Sequence, residues 1–245
     1  LPIYNSNSGV DAVTRKVKDG EGTLSALSLS DDFVGVQPVN DDSGATFAVV
    51  NKGGTILFYV DTTNTKILAL DNNVNTQYAT FGISAAGGSS FLANTHYAIP
   101  FSNQTLTVDE MAFGTGTDPA TTFTTAEGNA TRASDIVSCL WYVTDAISID
   151  GIISIEGADA VTGDTTRMHL YSMDFTSGAT ACLTSGTLLA HNSDVTNAGN
   201  EQPYLSTWTV DSAAVTAGKV ILAFFKSDSI NSDYSVSIKV KYHLT

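Results

Sequence analysis

Basic residues are scarce: Lys and Arg total 11 against 25 Asp and Glu, leaving a formal net charge of −14 over 245 residues. The densest basic stretch is Arg15-Lys16-Val17-Lys18. Binding a phosphate backbone takes clusters of such groups, so DNA and RNA are not expected partners. Cysteine is nearly absent, with Cys139 and Cys182 alone, which excludes a disulfide-dense scaffold. Each lies in an apolar strand pattern, where a buried thiol is the ordinary state. Spacing leaves their pairing open, because it says nothing about Cα proximity. No apolar run approaches the ~20 residues of a membrane-spanning helix. The longest, residues 220–225, suits a buried strand. The opening Leu1-Pro2-Ile3-Tyr4 lacks an initiator Met and also the basic start and apolar stretch of a signal peptide. It reads as a processed chain or as the ordered part of a longer protein.

Charged residues of both signs make up only 15% of the chain, and Thr, Ser, Asn and Gly carry much of the remaining polarity. That balance is typical of extracellular and virion-surface β-proteins. Hydrophobic residues reach 42%, enough for a packed core.

Residues 1–82 read as short strands joined by tight turns: 24–29, 33–36, 46–50, 55–60 and 66–70. Asn51-Lys52-Gly53-Gly54 and Asp61-Thr62-Thr63-Asn64 supply the turn chemistry. Ile56, Phe58 and Val60 point one way, and Leu57 and Tyr59 the other. A strand in a lone meander should alternate apolar with polar, since only one face is covered. No amphipathic helix follows to cover the second face, and an exposed apolar surface of that kind is rare on monomers. Neighbouring copies are the expected cover, with Phe47, Val49, Ile56, Phe58 and Val60 at the interface.

Residues 83–95, centred on Gly87-Gly88-Ser89-Ser90, read as a linker. Residues 96–245 carry the more regular alternation: Val137, Cys139, Trp141 and Val143; His169, Tyr171, Met173 and Phe175; Val220, Leu222 and Phe224. In the last strand Tyr234, Val236, Ile238, Val240 and Tyr242 face inward. Ile147 and Ile149, then Ile153 and Ile155, flank Gly151, which marks a bulge. With strands at 97–101, 104–108, 181–189 and 207–211, the count is about eight or nine. That predicts an antiparallel β-sandwich of jelly-roll type. One helical turn is expected at 212–216, capped by Asp211 and stopped by Gly218.

Catalytic signals are weak. No GxSxG, Walker or GxGxxG pattern occurs. His96, His169, His191 and His243 have no metal-ligand spacing. Asp145, Asp150, Glu156 and Asp159 surround one hairpin, and paired acids are what a glycosidase needs. Acids at strand ends are ordinarily solvated, however, and none of these sits in a recognisable catalytic context. Asp31-Asp32 and Asp41-Asp42 could meet a Ca²⁺ across an oligomer axis, but the ligand pattern of a calcium loop is missing. They read as solvated loops. Tyr204 and Trp208, beside Pro203, form the candidate glycan-stacking surface, while Trp141 is in phase with core residues. Asn103-Gln104-Thr105 and Asn129-Ala130-Thr131 fit the N-glycosylation pattern. The expectation is a non-enzymatic protein without cofactor or bound metal.

The segment Gly54-Thr55-Ile56-Leu57-Phe58-Tyr59-Val60-Asp61-Thr62-Thr63-Asn64, preceded by Thr46-Phe47-Ala48-Val49-Val50-Asn51, resembles a repeat of bacteriophage tail fibres and other trimeric virion proteins. The resemblance covers about residues 23–75. Residues 66–70 depart from it by lacking the usual Gly. More loosely, Val215-Thr216-Ala217-Gly218-Lys219-Val220-Ile221 and Tyr234-Ser235-Val236-Ser237-Ile238-Lys239-Val240 resemble sandwich domains of phage and marine-virus surface proteins. Together these imply an intertwined β N-terminal region and a homotrimeric virion-surface component, either a fibre or spike or a capsid decoration protein. Its partners would be its own copies, other virion proteins and host surface glycan. A glycan-binding adhesin module and a glycan-cleaving spike are the alternative readings.

Overall fold

The computed structural model describes residues 10–85, 92–102, 112–115, 136–158, 162–199, 202–228 and 234–245. The chain divides into two compact units, Leu1–Asn75 and Thr76–Thr245. Within these residues it is an all-β protein of antiparallel sheets, and its second unit is a sandwich.

The first unit holds two small sheets. β1 (Arg15–Lys18), β2 (Leu24–Leu29) and β3 (Val34–Val36) form one. β4 (Phe47–Val50), β5 (Ile56–Asp61), β6 (Lys66–Ala69) and β7 (Asn72–Asn73) form a four-stranded meander. Local chemistry sets its turns. Asn51 Oδ1 accepts from the Thr55 amide at 2.9 Å, and Gly54 takes φ +89°, which a residue with a Cβ would resist. At the next turn the Asn64 amide and side chain donate to the two Asp61 carboxylate oxygens at 2.9 and 2.8 Å. Those bonds favour the charged form and hold the Asp61 carboxyl below its usual range.

The second unit begins with β8 (Thr76–Ala85), β9 (Thr95–Ile99), β10 (Ala112–Thr115), β11 (Trp141–Tyr142) and β12 (Ile147–Ala158). β13 (Thr165–Phe175), β14 (Leu183–His191), β15 (Val195–Thr196) and β16 (Gln202–Thr207) follow. β17 (Thr209–Val210), β18 (Ala214–Val215), β19 (Lys219–Ser227) and β20 (Tyr234–Leu244) complete it. One sheet runs β16-β12-β20-β8, with β18 beside β12. The other runs β10-β9-β19-β13-β14-β17, with β11 on β19 and β15 on β13.

The main core lies between the two sheets. Phe81, Ile149, Ile152, Val236, Ile238 and Val240 face Ile99, Met168, Leu170, Ala223 and Phe225 across it. A second cluster with Phe113, Ile136, Cys139, Tyr171, Met173, Leu183, Leu222 and Phe224 covers the far side of the second sheet. β19 is therefore buried on both faces, the condition under which a strand reads as an unbroken apolar run. The two cysteines are free buried thiols.

Four expectations need correction. Ala79, Phe81 and Ile83 point into the sandwich, and β8 pairs with β20 along its whole length, Thr76↔His243 to Tyr234↔Ala85. The first unit consequently ends at Asn75 rather than at residue 82, and the expected linker begins inside a strand. Val137–Cys139 is a turn of 3-10 helix, with Val137 exposed and Cys139 buried, so the strand starts only at Trp141. Residues 214–215 pair with β12 as a strand where a helical turn was expected. The strand expected at 104–108 lies outside the described residues.

Candidate functional sites

The residues expected at a subunit interface share one face of the β4–β7 sheet. Phe47 is opposite Val60, Val49 is opposite Phe58, and after a bulge Val50 is opposite Ile56. β6 adds Ile67 beside Val60 and Ala69 beside Phe58. Packing within the face is limited to contacts such as the edge-on pair of Phe47 and Phe58, with ring centroids 6.4 Å apart. Phe47, Val49, Val50, Ile56 and Ile67 remain 39–50% exposed. On the opposite face Leu57 is also exposed. Both faces thus carry uncovered apolar side chains.

The expected glycan platform is dismantled. Trp208 is 5% exposed and belongs to the inter-sheet core. Its indole nitrogen donates to Ser154 Oγ at 2.9 Å, the usual way a buried Trp satisfies its one donor. A ring so placed cannot stack on a sugar arriving from solvent. Tyr204 stands half-buried on β16, its hydroxyl accepting from the Ala198 amide at 2.9 Å and donating toward Gln202 Oε1 at 2.8 Å.

The four acids of the hairpin are not brought together. Asp145 is exposed, and Asp159 lies outside the described residues. Asp150 sits in the bulge between Ile149 and Gly151, with its Oδ1 2.9 Å from His243 Nδ1. Glu156 lies six residues along the same strand, about 20 Å away at the rise of an extended chain. Glycosidase pairs are about 5–10 Å apart, so Asp150 and Glu156 cannot act on one bond.

Glu156 is nonetheless buried, contrary to the expectation of a solvated turn residue. The bulge at Gly151 moves the strand by one position, so Ile152, Ser154 and Glu156 face the interior while Ile153 and Ile155 face solvent. Ser206 Oγ donates to Glu156 Oε1 at 2.9 Å and Thr166 Oγ1 to Oε2 at 3.0 Å. Asn192 Nδ2 approaches Oε1 at 3.5 Å. Burial raises the carboxyl pKa, and the Ser206 and Thr166 bonds oppose that rise without cancelling it.

A raised folded-state pKa means that the native protein binds this proton more tightly than the unfolded chain. The side chain's contribution to stability is then fully present below the unfolded-state value of 4.5, and it is lost as pH rises through the higher folded value. Glu156→Gln should remove that part of the pH dependence, so going from pH 4 to pH 7 should lower the melting temperature less, or raise it more, in the variant than in the parent. An unchanged difference would mean that Glu156 does not titrate as a buried group.

The histidines form two separate kinds of contact. His96 and His169 are fully buried, edge-on to one another at 5.4 Å between centroids. His191 Nδ1 lies 2.7 Å from Asp211 Oδ2, and His243 pairs with Asp150 as above. Asp31, Asp32, Asp41 and Asp42 are exposed. Among the described residues no group of three His, Cys, Asp or Glu side chains could hold a metal ion.

Glu156 also lines a cleft at the end of the sandwich, together with Asp164, Thr166, Asn197, Tyr204 and the apolar wall of Val195, Phe225, Tyr234 and Val236. Sequence reasoning reached Glu156 but not Asp164. The available signal was the phase of Ile152, Ser154 and Glu156 after the bulge. No protein-family model matches this chain, and no curated protein sequence matches it.

Proposed function

We propose that this chain is a non-catalytic structural protein of a virus particle, of the bacteriophage fibre, spike or decoration class that residues 23–75 resemble. In this reading it assembles as a homotrimer through the β4–β7 sheet and displays its sandwich on the particle surface. The observation that carries the reading is the apolar face of Phe47, Val49, Val50, Ile56 and Ile67, all substantially exposed in the single chain. Monomeric proteins seldom leave such a surface in water. A second and third copy offering the same face cover it without any other partner.

Strand order gives independent support. The sequence β8-β20-β12-β16 in one sheet and β9-β19-β13-β14 in the other places successive strands mostly on alternate sheets, with β13–β14 the hairpin kept within one. That order supports a jelly-roll reading of the sandwich, an architecture of viral capsid and lectin domains. Burial of Trp208 removes the main support for the adhesin alternative. Native mass spectrometry of the full chain at micromolar concentration should give three copies. A clean monomer there would sink the assembly reading.

A further inference from the structure

One side of the β16-β12-β20-β8 sheet packs inside the sandwich, and its other side faces outward. The bulge at Gly151 sends Ile153 and Ile155 to that outer side. Leu205 lies opposite Ile155, Lys239 opposite Ile153, and Tyr78 opposite Lys241. Ile153, Ile155, Leu205 and Tyr78 are 44–71% exposed. Apolar residues scattered singly over a surface are ordinary, but here three branched ones adjoin on neighbouring strands.

Charge on this side runs against the balance of the chain. Lys239 and Lys241 stand there in a protein with 11 Lys and Arg against 25 Asp and Glu. Lys239 is exposed and forms no ion pair among the described residues. Among the described residues of these four strands, the carboxylate on this side is Asp150, and His243 occupies it. A face meeting its own image would set these lysines against one another, so the arrangement suits an acidic partner surface.

A surface of that kind exists on the first sheet of the same chain. Its edge strand is β3, where Val34 and Val36 share one side, opposite Leu29 and Leu27. Val34 is 68% exposed and Val36 39%. Asp31 and Asp32 lead into the strand, both exposed and without an ion pair among the described residues. The Phe33 ring turns to the other side, over Gly35. Arg15, opposite Leu29, is held by Asp11. We propose that the outer face of the sandwich docks a second copy of this chain at residues 31–36. The valines of one copy cover Ile153, Ile155 and Leu205 of the next, and Asp31 and Asp32 meet Lys239 and Lys241. The contact is head-to-tail, and contacts of that kind close into rings when the rotation allows. It stands beside the β4–β7 contact and does not rest on it.

The test is carbodiimide coupling of the full chain, which joins a lysine amine to a carboxylate only where the two touch. Peptides linking Lys239 or Lys241 to Asp31 or Asp32 are expected in the covalent multimer bands of a denaturing gel and not in the monomer band. Added salt should lower their yield, because exposed ion pairs are screened. Leu205→Asn leaves every coupling group in place and removes an apolar side chain from the centre of the contact. It should cut the yield by ~10-fold, with circular dichroism to show that the sandwich is still folded. Peptides confined to the monomer band, multimers without them, or a folded Leu205→Asn protein that couples unchanged would overturn the proposal. Native mass reports separately on the β4–β7 assembly. Three copies without these peptides keep that reading and remove this contact, and the peptides in covalent dimers of a chain that never forms three copies do the reverse.

Discussion

Replacing Phe58 by alanine should break the assembly while leaving the sandwich folded. Phe58 lies mid-strand between Ile56 and Val60, with Val49 and Ala69 as its cross-strand neighbours and Phe47 edge-on to its ring. If this face is the interchain core, truncation removes a large side chain from each copy. A buried Phe→Ala change costs about 3–5 kcal/mol, so three copies would lose ~9–15 kcal/mol, comparable with the whole stability of a typical domain. A sizing column should then show dissociation, and the first thermal transition should fall sharply. Phe33→Ala is the control, because that ring is 52% exposed at the edge of the smaller sheet. Equal and small effects from the two changes would place the interface elsewhere.

Trp208→Ala should produce the largest loss within the sandwich. It empties a core site of its largest side chain, at about 3–5 kcal/mol. It also strips Ser154 Oγ, in a residue 1% exposed, of the donor it accepts from, adding about 1–3 kcal/mol. For a unit of this size each kcal/mol moves the melting temperature by about 2–4 °C, so a drop of ~10 °C or more is expected. Trp208→Phe keeps a ring in the core but loses part of its volume and the hydrogen bond to Ser154, and should melt between the parent and Trp208→Ala. A Trp208→Ala protein with unchanged melting but lost glycan binding would return Trp208 to the surface.

Much of the fold was legible because its signals are local. The last strand alternates without interruption, and its inward set Tyr234, Val236, Ile238 and Val240 is buried as the pattern requires. The turns at residues 51–54 and 61–64 form where Asn, Gly and Asp predict them, and the bulge at Gly151 is real. What failed depended on distant partners. Ala79, Phe81 and Ile83 alternate like any strand, but nothing local says that their partner is β20, more than 150 residues on. Trp208 looked like a surface residue beside Pro203 and Tyr204. It shares the inward phase of Tyr204 and Ser206, with Leu205 and Thr207 facing out, and that phase turns its ring into the core.

The candidate cleft was less legible still. Glu156 faces inward because one extra residue at the bulge exchanges the two faces of β12, and a one-position shift reverses every side chain beyond it. Reading Ile153 and Ile155 as an inward pair would send Glu156 outward. Asp164 belongs to a loop, and its place on the cleft lining depends on Val195, Asn197 and Tyr204 arriving from elsewhere.

The pairing of β8 with β20 has a mechanical consequence. Thr76, where the chain leaves its first unit, lies opposite His243, two residues from the final Thr245. Tension applied between residues 75 and 245 therefore pulls on adjacent ends of two antiparallel strands. Their hydrogen bonds run across the strands, so the load falls on one pair at a time and peels the edge strand away like a zipper. Gripping Ala85 instead of residue 75 would shear all of the pairs together. A sandwich tethered through its first unit resists force best when nothing pulls on its C-terminal end.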